Sequence, residues 1–284
     1  MTIDSTIEKD KLAIVGGGKI GEALLSGLLR TPAGGQPRYR PEDVVVVEHY
    51  PDRRSYLSER YGVEIGDVAR AAGAGTIVIA VKPQDIDTVL AELAPLATAD
   101  HLVVSVAAGI TTNQLERGLP GGPAVVRCMP NTPALVDQAM TAISAGAHAD
   151  ESHLQRAQEL LEAVGRVVRV PESQLDAVTA LSGSGPAYFF FLVEAMIDAG
   201  ILLGLPRTLA AELIVQTAVG AAVMLRDTGE HPVQLREAVT SPGGTTISAI
   251  RELEIHGVRA ALIAAIEAAR DRSVELGRAS NPSG

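Results

Sequence analysis

The feature that most constrains the fold is a run of glycines early in the sequence. Gly16, Gly18 and Gly21 follow a short apolar run over residues 12–15, and an apolar helical pattern over residues 23–29 comes next. The spacing matches the dinucleotide-binding fingerprint, in which the glycines allow a tight turn, close approach of a pyrophosphate and packing of helix on strand. A Gly-rich turn without a ligand is the alternative. The position between a strand and a helix favours the dinucleotide site.

A second apolar run supports the same interpretation. Residues 44–47 are four valines, and Glu48 follows them. In dinucleotide-binding folds an acidic side chain at the end of the second strand accepts hydrogen bonds from the ribose hydroxyls. We therefore predict Glu48 as a cofactor ligand. The cofactor residues predicted in the glycine run are Gly16, Gly17, Gly18, Lys19, Ile20 and Gly21.

Up to about residue 170, short β-branched runs alternate with helical patterns. This alternation is typical of an α/β fold with a doubly wound, Rossmann-type, mostly parallel sheet. The predicted helices include residues 83–96 and 152–164. Besides 12–15 and 44–47, the predicted strands are residues 76–81, 102–106, 124–127, 141–144 and 167–170.

After Pro171 the strand patterns stop and Ala/Leu-rich helical segments follow. Residues 187–203 are apolar nearly all round, which predicts a helix buried on every side. A helical domain of this kind often completes its core with a second chain, so we hypothesise a homo-oligomer. The predicted regions are a flexible tail over 1–10, a dinucleotide-binding domain over 11–170 and an all-α C-terminal domain over 171–284.

Charge and composition exclude several classes of protein. The 284 residues include 24 Lys and Arg against 34 Asp and Glu, a formal net charge of −10. Nucleic-acid binding calls for a basic patch, so we expect no nucleic-acid partner. Cys128 is the single cysteine, which excludes an intrachain disulfide and favours a buried, small apolar role. The six histidines lack metal-ligand spacing, and no metal site is predicted.

No targeting or membrane segment is predicted. Residues 1–10 are polar and charged, without the basic-then-apolar arrangement of a signal peptide. The most apolar segment, residues 188–205, is interrupted by Glu194 and Asp198. We therefore expect a cytoplasmic protein that does not bind membranes.

A second candidate anion site lies far along the chain. Residues 240–246 combine hydroxyl side chains with two glycines and lead into a helical pattern over residues 247–253. The first turn of a helix presents unpaired N–H groups, which bind anions. An ordinary hydroxyl cap after a Pro-Gly turn is the alternative. Together with a dinucleotide site, a small-anion site suggests a reductase.

Several segments resemble those of the pyrroline-5-carboxylate reductases. These are residues 80–84, 105–109, 127–133 and 181–188, and the turn at 240–246 with the helix that follows it through Glu252. The resemblance implies reduction of a cyclic imine acid, 1-pyrroline-5-carboxylate, to proline with NADH or NADPH, the last step of proline biosynthesis. It also implies a homo-oligomer, either a dimer or an assembly of dimers, with residues 171–284 binding the substrate and forming the dimer.

The resemblance also assigns substrate residues. The hydroxyl of Ser241 would donate a hydrogen bond to the substrate carboxylate. Thr179, the predicted catalytic residue, matches a threonine near the imine nitrogen, where we favour orientation of the ring over proton relay. Glu172 matches an acidic residue near the proline site, with a solvated charge as the alternative. The remaining predicted carboxylate-binding residues are Gly244, Thr245 and Thr246.

Other candidate cofactor residues follow predicted strands, where ligands of doubly wound sheets bind. Lys82 can approach the cofactor phosphates or ribose, or it is an exposed lysine at a helix start. Small side chains after residue 106 let the nicotinamide lie against backbone. Asn131 either anchors a turn or touches the nicotinamide amide. The other predicted cofactor residues are Ala80, Val81, Pro83, Ala107, Ala108 and Gly109.

The chemistry implied needs few ionisable residues. Ketone reduction requires a proton donor at oxygen, whereas a protonated imine is already electrophilic and requires mainly placement. The lysines are Lys9, Lys11, Lys19 and Lys82. β-Hydroxyacid dehydrogenases, the first alternative function, use a lysine in the helical domain, which this chain lacks. A non-catalytic dinucleotide sensor, the second alternative, has no need of a carboxylate socket.

The choice between NADH and NADPH depends on the residues after the second predicted strand. Glu48 would accept from the ribose 2′-hydroxyl and repel a 2′-phosphate. Arg53 and Arg54 favour the phosphate, but we take them as mobile surface residues. We therefore predict that both cofactors are used and that NADH is preferred.

Overall fold

The computed structural model describes residues 7–31 and 35–279. The chain forms two compact units. The first contains the described residues before Ser184 and those from Ala269 to Ala279, and the second is Ser184–Ala268. We call them the sheet unit and the helical unit. The sequence-based domain boundary between residues 170 and 171 stays a prediction.

The sheet unit is built on eight strands in the order β3-β2-β1-β4-β5-β6-β7-β8. All neighbouring strands in the described residues run parallel except β6 and β7. The strands are β1 (Glu8–Val15), β2 (Val44–Val47), β3 (Glu64–Gly66), β4 (Ala74–Ile79), β5 (Leu102–Ser105), β6 (Ala124–Met129), β7 (Ala139–Ala145) and β8 (Gly165–Arg169). The predicted doubly wound, mostly parallel sheet is confirmed.

Helices connect the strands and form the rest of the chain. Those of the sheet unit are α1 (Lys19–Leu29), α2 (Pro51–Tyr61), α3 (Val68–Ala71), α4 (Ile86–Leu93), α5 (Thr112–Gly118), α6 (Glu151–Leu161) and α7 (Leu175–Val178). Then come α8 (Gly185–Leu202), α9 (Arg207–Asp227), α10 (Pro232–Ala238), α11 (Thr245–Ile255) and α12 (Val258–Ala279). Short 3-10 turns cover Pro41–Asp43, Pro83–Asp85, Thr132–Val136, Glu162–Val164 and Glu172–Gln174, and Thr179–Gly183 is π-helical.

The strand bounds differ from prediction where tertiary pairing extends a strand or creates one. β1 begins at Glu8, which pairs with Ala74, so residues 8–10 belong to the sheet although they were predicted as tail. β3 was not predicted, because three residues are too few to show a period. Pro83 opens a 3-10 turn, and α4 itself starts at Ile86.

Both faces of the sheet are buried. On β1, Leu12 and Ile14 belong to one apolar cluster, and Ala13 and Val15 to a second cluster on the opposite face. Alternate residues of a strand point to opposite faces, so a sheet covered on both sides requires continuous apolar runs such as the four valines of β2. Cys128 is buried in the first cluster, as predicted, and burial raises the pKa of its thiol.

The helical unit differs from prediction. We expected the helix at residues 187–203 to be buried on every side, but along α8 only Gly185 and Gly200 are buried. Phe189, Phe190 and Phe191 are 68%, 69% and 71% exposed. The apolar pattern predicts that these side chains are covered, but residues 7–31 and 35–279 of the single chain leave them exposed.

Two helical stretches, Glu172–Leu202 and Arg207–Asp227, are long and apolar enough to cross a membrane by length and composition. The interruption of the first stretch by Glu194 and Asp198 therefore does not exclude a span by these criteria, contrary to the sequence argument. Core and interface helices of non-membrane proteins meet the same criteria.

Candidate active site

The carboxyl ends of the central strands meet at one edge of the sheet. The backbone N–H of Ala80 donates to Val15 O at 2.7 Å, and that of Gly16 donates to Val47 O at 2.9 Å. The N–H of Val106 donates to Ile79 O at 3.0 Å. The segments after β1, β4 and β5 are thereby joined where the strand order reverses, which is where doubly wound sheets bind ligands.

The glycine turn has the geometry that a pyrophosphate requires. Gly16 has φ +109°, and a Cβ there would lie 2.6 Å from Ala80 O. A Cβ at Gly21 would overlap Gly16 O, so this glycine lets α1 approach the turn. A Cβ at Gly18, the N-cap of α1, would meet no atom within 4 Å. The space beside Gly18 at the start of α1 is therefore open, and this fits the approach of an anionic dinucleotide to the helix N-terminus.

Glu48 is held by backbone donors. Its Oε2 accepts from Gly17 N at 3.1 Å, and its Oε1 accepts from His49 N at 2.7 Å and Tyr50 N at 3.0 Å. The carboxylate therefore has a fixed position beside the glycine turn, and its remaining lone pairs can accept from hydroxyl groups.

Arg53 is also fixed, which corrects the view that it is a mobile surface residue. Its Nε donates to Gly17 O at 2.7 Å, and its Nη2 pairs with Glu22. Tyr56 and Tyr61 donate to the same carboxylate at 3.0 and 2.9 Å. Burial alone would raise the pKa of Glu22, but the hydrogen bonds from Arg53 and the tyrosines lower it. Gly17 is thus held at its N–H by Glu48 and at its C=O by Arg53.

Arg54 is in a different position. It is exposed and lines a cavity of about 510 Å³ at the carboxyl ends of β2 and β3, together with Glu48, Gly66 and Asp67. Its side chain has no hydrogen-bond or ion-pair partner within the described part of the chain. Of the two arginines, Arg54 is the one free to move beside Glu48.

The other predicted cofactor residues after β4 and β5 lie at the same edge. Lys82 is exposed, and its Nζ has no partner among the residues that the structure describes. Ala107 is buried, whereas Ala108 is exposed. Within the loop at residues 106–111, Ala108 is the exposed residue, and Ile110 is buried like Ala107. The remaining members of this predicted set, Ala80, Val81, Pro83 and Gly109, belong to the same two segments.

Asn131 anchors the chain, one of the two predicted roles. Its Oδ1 accepts from Met140 N at 2.9 Å, and its Nδ2 donates to Ser182 O at 3.1 Å. The side chain therefore connects the end of β6 with β7 and with the π-helical segment.

Glu172 lies in a half-buried polar cluster. Its Oε1 accepts from Thr112 N at 2.8 Å and from Arg127 Nη1 at 3.0 Å, and its Oε2 accepts from Thr112 Oγ1 at 2.6 Å. Arg127 is 6% exposed. Burial alone would raise the pKa of Glu172, but the hydrogen bonds from Thr112 and Arg127 outweigh it and lower the pKa. The carboxylate is therefore held by partners within the chain, although its side chain remains 29% exposed.

Thr179 begins the π-helical segment Thr179–Gly183. Its Oγ1 donates to Leu175 O at 2.8 Å. The hydroxyl hydrogen is therefore engaged, while the oxygen can still accept a hydrogen bond. This geometry suits orientation of an N–H donor and does not suit proton donation.

The residues predicted to bind the substrate carboxylate lie in the helical unit. Gly244 is the N-cap of α11, and no side chain of the described residues caps this helix N-terminus. A Cβ at Gly244 would overlap Ser241 Oγ, so the glycine lets this hydroxyl lie beside the helix start. Ser241 and Thr245 are exposed, and Thr246 is partly exposed. Free N–H groups and hydroxyls at one helix end can bind a carboxylate.

In residues 7–31 and 35–279, no group of three or more His, Cys, Asp or Glu is placed to hold a metal ion. The functional contacts that the sequence argument missed are those of Glu22, Arg53, Thr112 and Arg127. Arg127 lies within a segment that carried the family resemblance, but no sequence pattern identified its partner.

A Rossmann-type sheet with an open glycine turn and a fixed acid defines an NAD(P)-dependent oxidoreductase class. Comparison with known families agrees. Residues 11–109 match the model described as NADP oxidoreductase, coenzyme F420-dependent, and residues 172–276 match pyrroline-5-carboxylate reductase dimerisation.

Full-length comparisons give the family. Pyrroline-5-carboxylate reductase of Mycobacterium tuberculosis is 47% identical, over 94% of this chain and 96% of its own. The structure of the Coxiella burnetii reductase has a TM-score of 0.87 at 38% identity, covering 95% and 99%. A Plasmodium falciparum reductase structure with NADP bound has a TM-score of 0.81 at 27% identity, covering 95% and 99%. The chain belongs to the pyrroline-5-carboxylate reductase family.

Proposed function

We propose that this protein reduces 1-pyrroline-5-carboxylate to L-proline with NADH or NADPH, the last step of proline biosynthesis. The main support is that this chain, a member of the family, has two suitable sites. One is the open glycine turn at Gly16–Gly21, and the other is the hydroxyl-rich helix start at Ser241–Thr246, which no side chain of the described residues caps. A carboxylate-bearing substrate and a dinucleotide cofactor need these two sites.

The sheet unit would hold the cofactor. The α1 N-terminus would bind the pyrophosphate, and Glu48 would accept from a ribose hydroxyl. Lys82 would approach phosphate or ribose, and the loop at 106–111 would present backbone to the nicotinamide. NADH or NADPH, when bound, supplies the hydride that reduces the carbon–nitrogen double bond.

The remaining work of the chain is placement. Ser241, Thr245 and Thr246 would bind the substrate carboxylate through hydroxyls and helix N–H groups. Thr179 Oγ1, whose hydrogen is donated to Leu175 O, would accept from the N–H of the protonated imine. That nitrogen already carries its proton and keeps it in proline, so reduction requires no acid from the chain.

The fixed position of Glu48 supports NADH as the preferred cofactor, with NADPH also used. Arg53 is bound to Gly17 O and Glu22, which leaves Arg54 as the arginine able to approach a 2′-phosphate. A carboxylate held by three backbone donors disfavours a phosphate at this position more than one exposed arginine attracts it.

The match to a dimerisation model supports a homo-oligomer. We propose a dimer, or an assembly of dimers, whose apolar helical surfaces cover each other. We also propose that the protein is cytoplasmic and has neither nucleic acid nor membrane as a partner. The net charge of −10 supports the absence of nucleic acid.

The test is an assay of NADH oxidation with 1-pyrroline-5-carboxylate, run beside 3-hydroxy acids with NAD⁺ in the opposite direction. We expect turnover with the imine alone. Turnover only with a hydroxy acid would replace the assignment by the β-hydroxyacid dehydrogenase alternative, and cofactor binding without turnover would favour the sensor.

A further inference from the structure

Glu172 makes a three-way connection within the sheet unit. Its carboxylate accepts hydrogen bonds from the backbone N–H and the hydroxyl of Thr112, the first residue of α5. It also forms an ion pair with Arg127 of β6. Glu172 itself lies after β8, in the 3-10 turn that leads to α7 and Thr179. One carboxylate therefore links three segments that are distant in sequence.

The bond to Thr112 connects Glu172 to the loop that is predicted to lie beside the cofactor. Thr112 directly follows the loop at residues 106–111. The start of that loop is fixed by the sheet, since Val106 N donates to Ile79 O and Ala107 N donates to Ser105 Oγ at 3.4 Å. The far end is held by Glu172, through both the backbone and the side chain of Thr112.

We propose that Glu172 is a positioning residue, which fixes the cofactor-side loop at 106–111 against the segment carrying Thr179 and does not itself bind substrate. The proposal rests on the proposed function, because that function identifies the loop at 106–111 with the cofactor and the segment carrying Thr179 with the substrate. It reassigns Glu172 from the substrate-binding role that the family resemblance implied.

The hydrogen bonding of the cluster supports this role. Both carboxylate oxygens of Glu172 accept hydrogen bonds, and the buried Arg127 supplies the opposite charge. Charge-assisted hydrogen bonds are the strongest in proteins and hold their partners in a defined geometry. Asn131 acts on the same segment at its other end, where it donates to Ser182 O. The segment 172–183 is therefore attached to the sheet near both of its ends.

The experiment compares Glu172→Gln and Thr112→Val with wild type and with a control. Thr112→Ser keeps the N–H and the hydroxyl and should retain wild-type behaviour. Glu159→Gln removes the same charge from an exposed ion pair with Arg38 and serves as the matched control. The measurements are the Kd for NADH without imine, hydrogen exchange of the amides at 106–112, and kcat and KM for the imine.

We expect Glu172→Gln to weaken NADH binding about tenfold, to speed exchange at 106–112 and to lower kcat, with KM for the imine nearly unchanged. Thr112→Val should change the same quantities in the same direction but by less, because it loses the hydroxyl bond to Glu172 and keeps the backbone N–H bond. The double variant should be no worse than Glu172→Gln alone, because both changes break one link. Thr112→Ser and Glu159→Gln should match wild type.

Two results would overturn the proposal. A raised imine KM in Glu172→Gln with normal NADH binding would make Glu172 a substrate ligand. Unchanged loop exchange and NADH binding in Thr112→Val would show that the link does not position the loop, even if Glu172→Gln fails to fold. Neither NADH binding nor exchange uses the imine, so a wild type that does not reduce the imine would refute the proposed function and leave this test intact.

Discussion

The sheet unit and the helical unit have apolar sequences of similar character but different burial. In the sheet unit, Leu12, Ile14 and Ile77 are 0% exposed. In the helical unit, Gly200 and Ala210 are buried where α8 meets α9, while the phenylalanines of α8 lie open. Apolar periodicity shows that a side chain will be covered, but it does not show which chain covers it.

The two candidate binding regions differ in the same way. At the cofactor turn, Glu48 and Arg53 hold both sides of the Gly17 peptide, so the site is prearranged by charges of its own unit. At the socket, Ser241 and Thr245 are exposed, and the N-cap Gly244 adds no side chain. Residues of the sheet unit hold the cofactor turn in place, whereas the hydroxyl and N–H donors at the start of α11 are exposed.

The largest expected effect comes from placing a charge on the open face of α8. Phe190→Asp should dissociate the oligomer, because each copy would bury an unpaired carboxylate. A desolvated charge of this kind costs several kcal/mol, and a twofold interface counts it twice, so the dimer Kd should rise by about a hundredfold or more. Light scattering and sedimentation across micromolar concentrations measure it.

Tyr50→Asp is the control for this variant, since Tyr50 is an equally exposed aromatic residue of the sheet unit, at 75%. It should leave the oligomer intact. A monomeric wild type, or dissociation by both variants, would contradict the proposal that a second copy covers the exposed face of α8.

The socket gives the next largest effect. Ser241→Ala and Thr246→Val should each raise the KM for the imine about tenfold, since a charge-assisted hydrogen bond contributes about 1.5–3 kcal/mol. NADH binding should stay unchanged, because the cofactor turn does not depend on these residues. Steady-state kinetics and NADH titration measure both quantities. Wild-type KM in both variants would show that the carboxylate binds elsewhere.

Cofactor preference tests the prearranged side. Glu48→Ser should shift kcat/KM toward NADPH by roughly fivefold, because it removes a fixed negative charge. Adding Arg54→Ala should reverse much of the shift, while Arg53 remains bound to Gly17 O and Glu22. Wild type that already selects NADPH would mean that Arg54 outweighs Glu48.

The smallest effect concerns pH. Because the pKa of Glu172 is lowered from its ordinary value of 4.5, the folded state binds this proton less readily than the unfolded state. The stabilisation is present above that ordinary value and is lost as the pH falls through the folded-state pKa. Denaturant unfolding at decreasing pH should show a shallower acid loss in Glu172→Gln than in wild type. An identical slope would mean that Glu172 makes no such contribution.

The sequence predicted the sheet well because its signals are local. The valines of β2 and the strand–glycine–helix order at Gly16 need no knowledge of distant residues. Other features depend on contacts that local patterns do not encode. β3 exists through pairing with β2, Glu172 meets Thr112 and Arg127 only in the folded chain, and Arg53 is fixed by Glu22. The exposure of α8 within the single chain is likewise not encoded in its apolar pattern.

The most direct test of the account measures the amounts of NADH oxidised and of L-proline formed in one reaction of the purified protein with 1-pyrroline-5-carboxylate. The account predicts equal amounts, because the hydride reduces the imine and the nitrogen keeps its proton. Oxidation of NADH without an equal amount of proline, or no reaction with the imine at all, would contradict it.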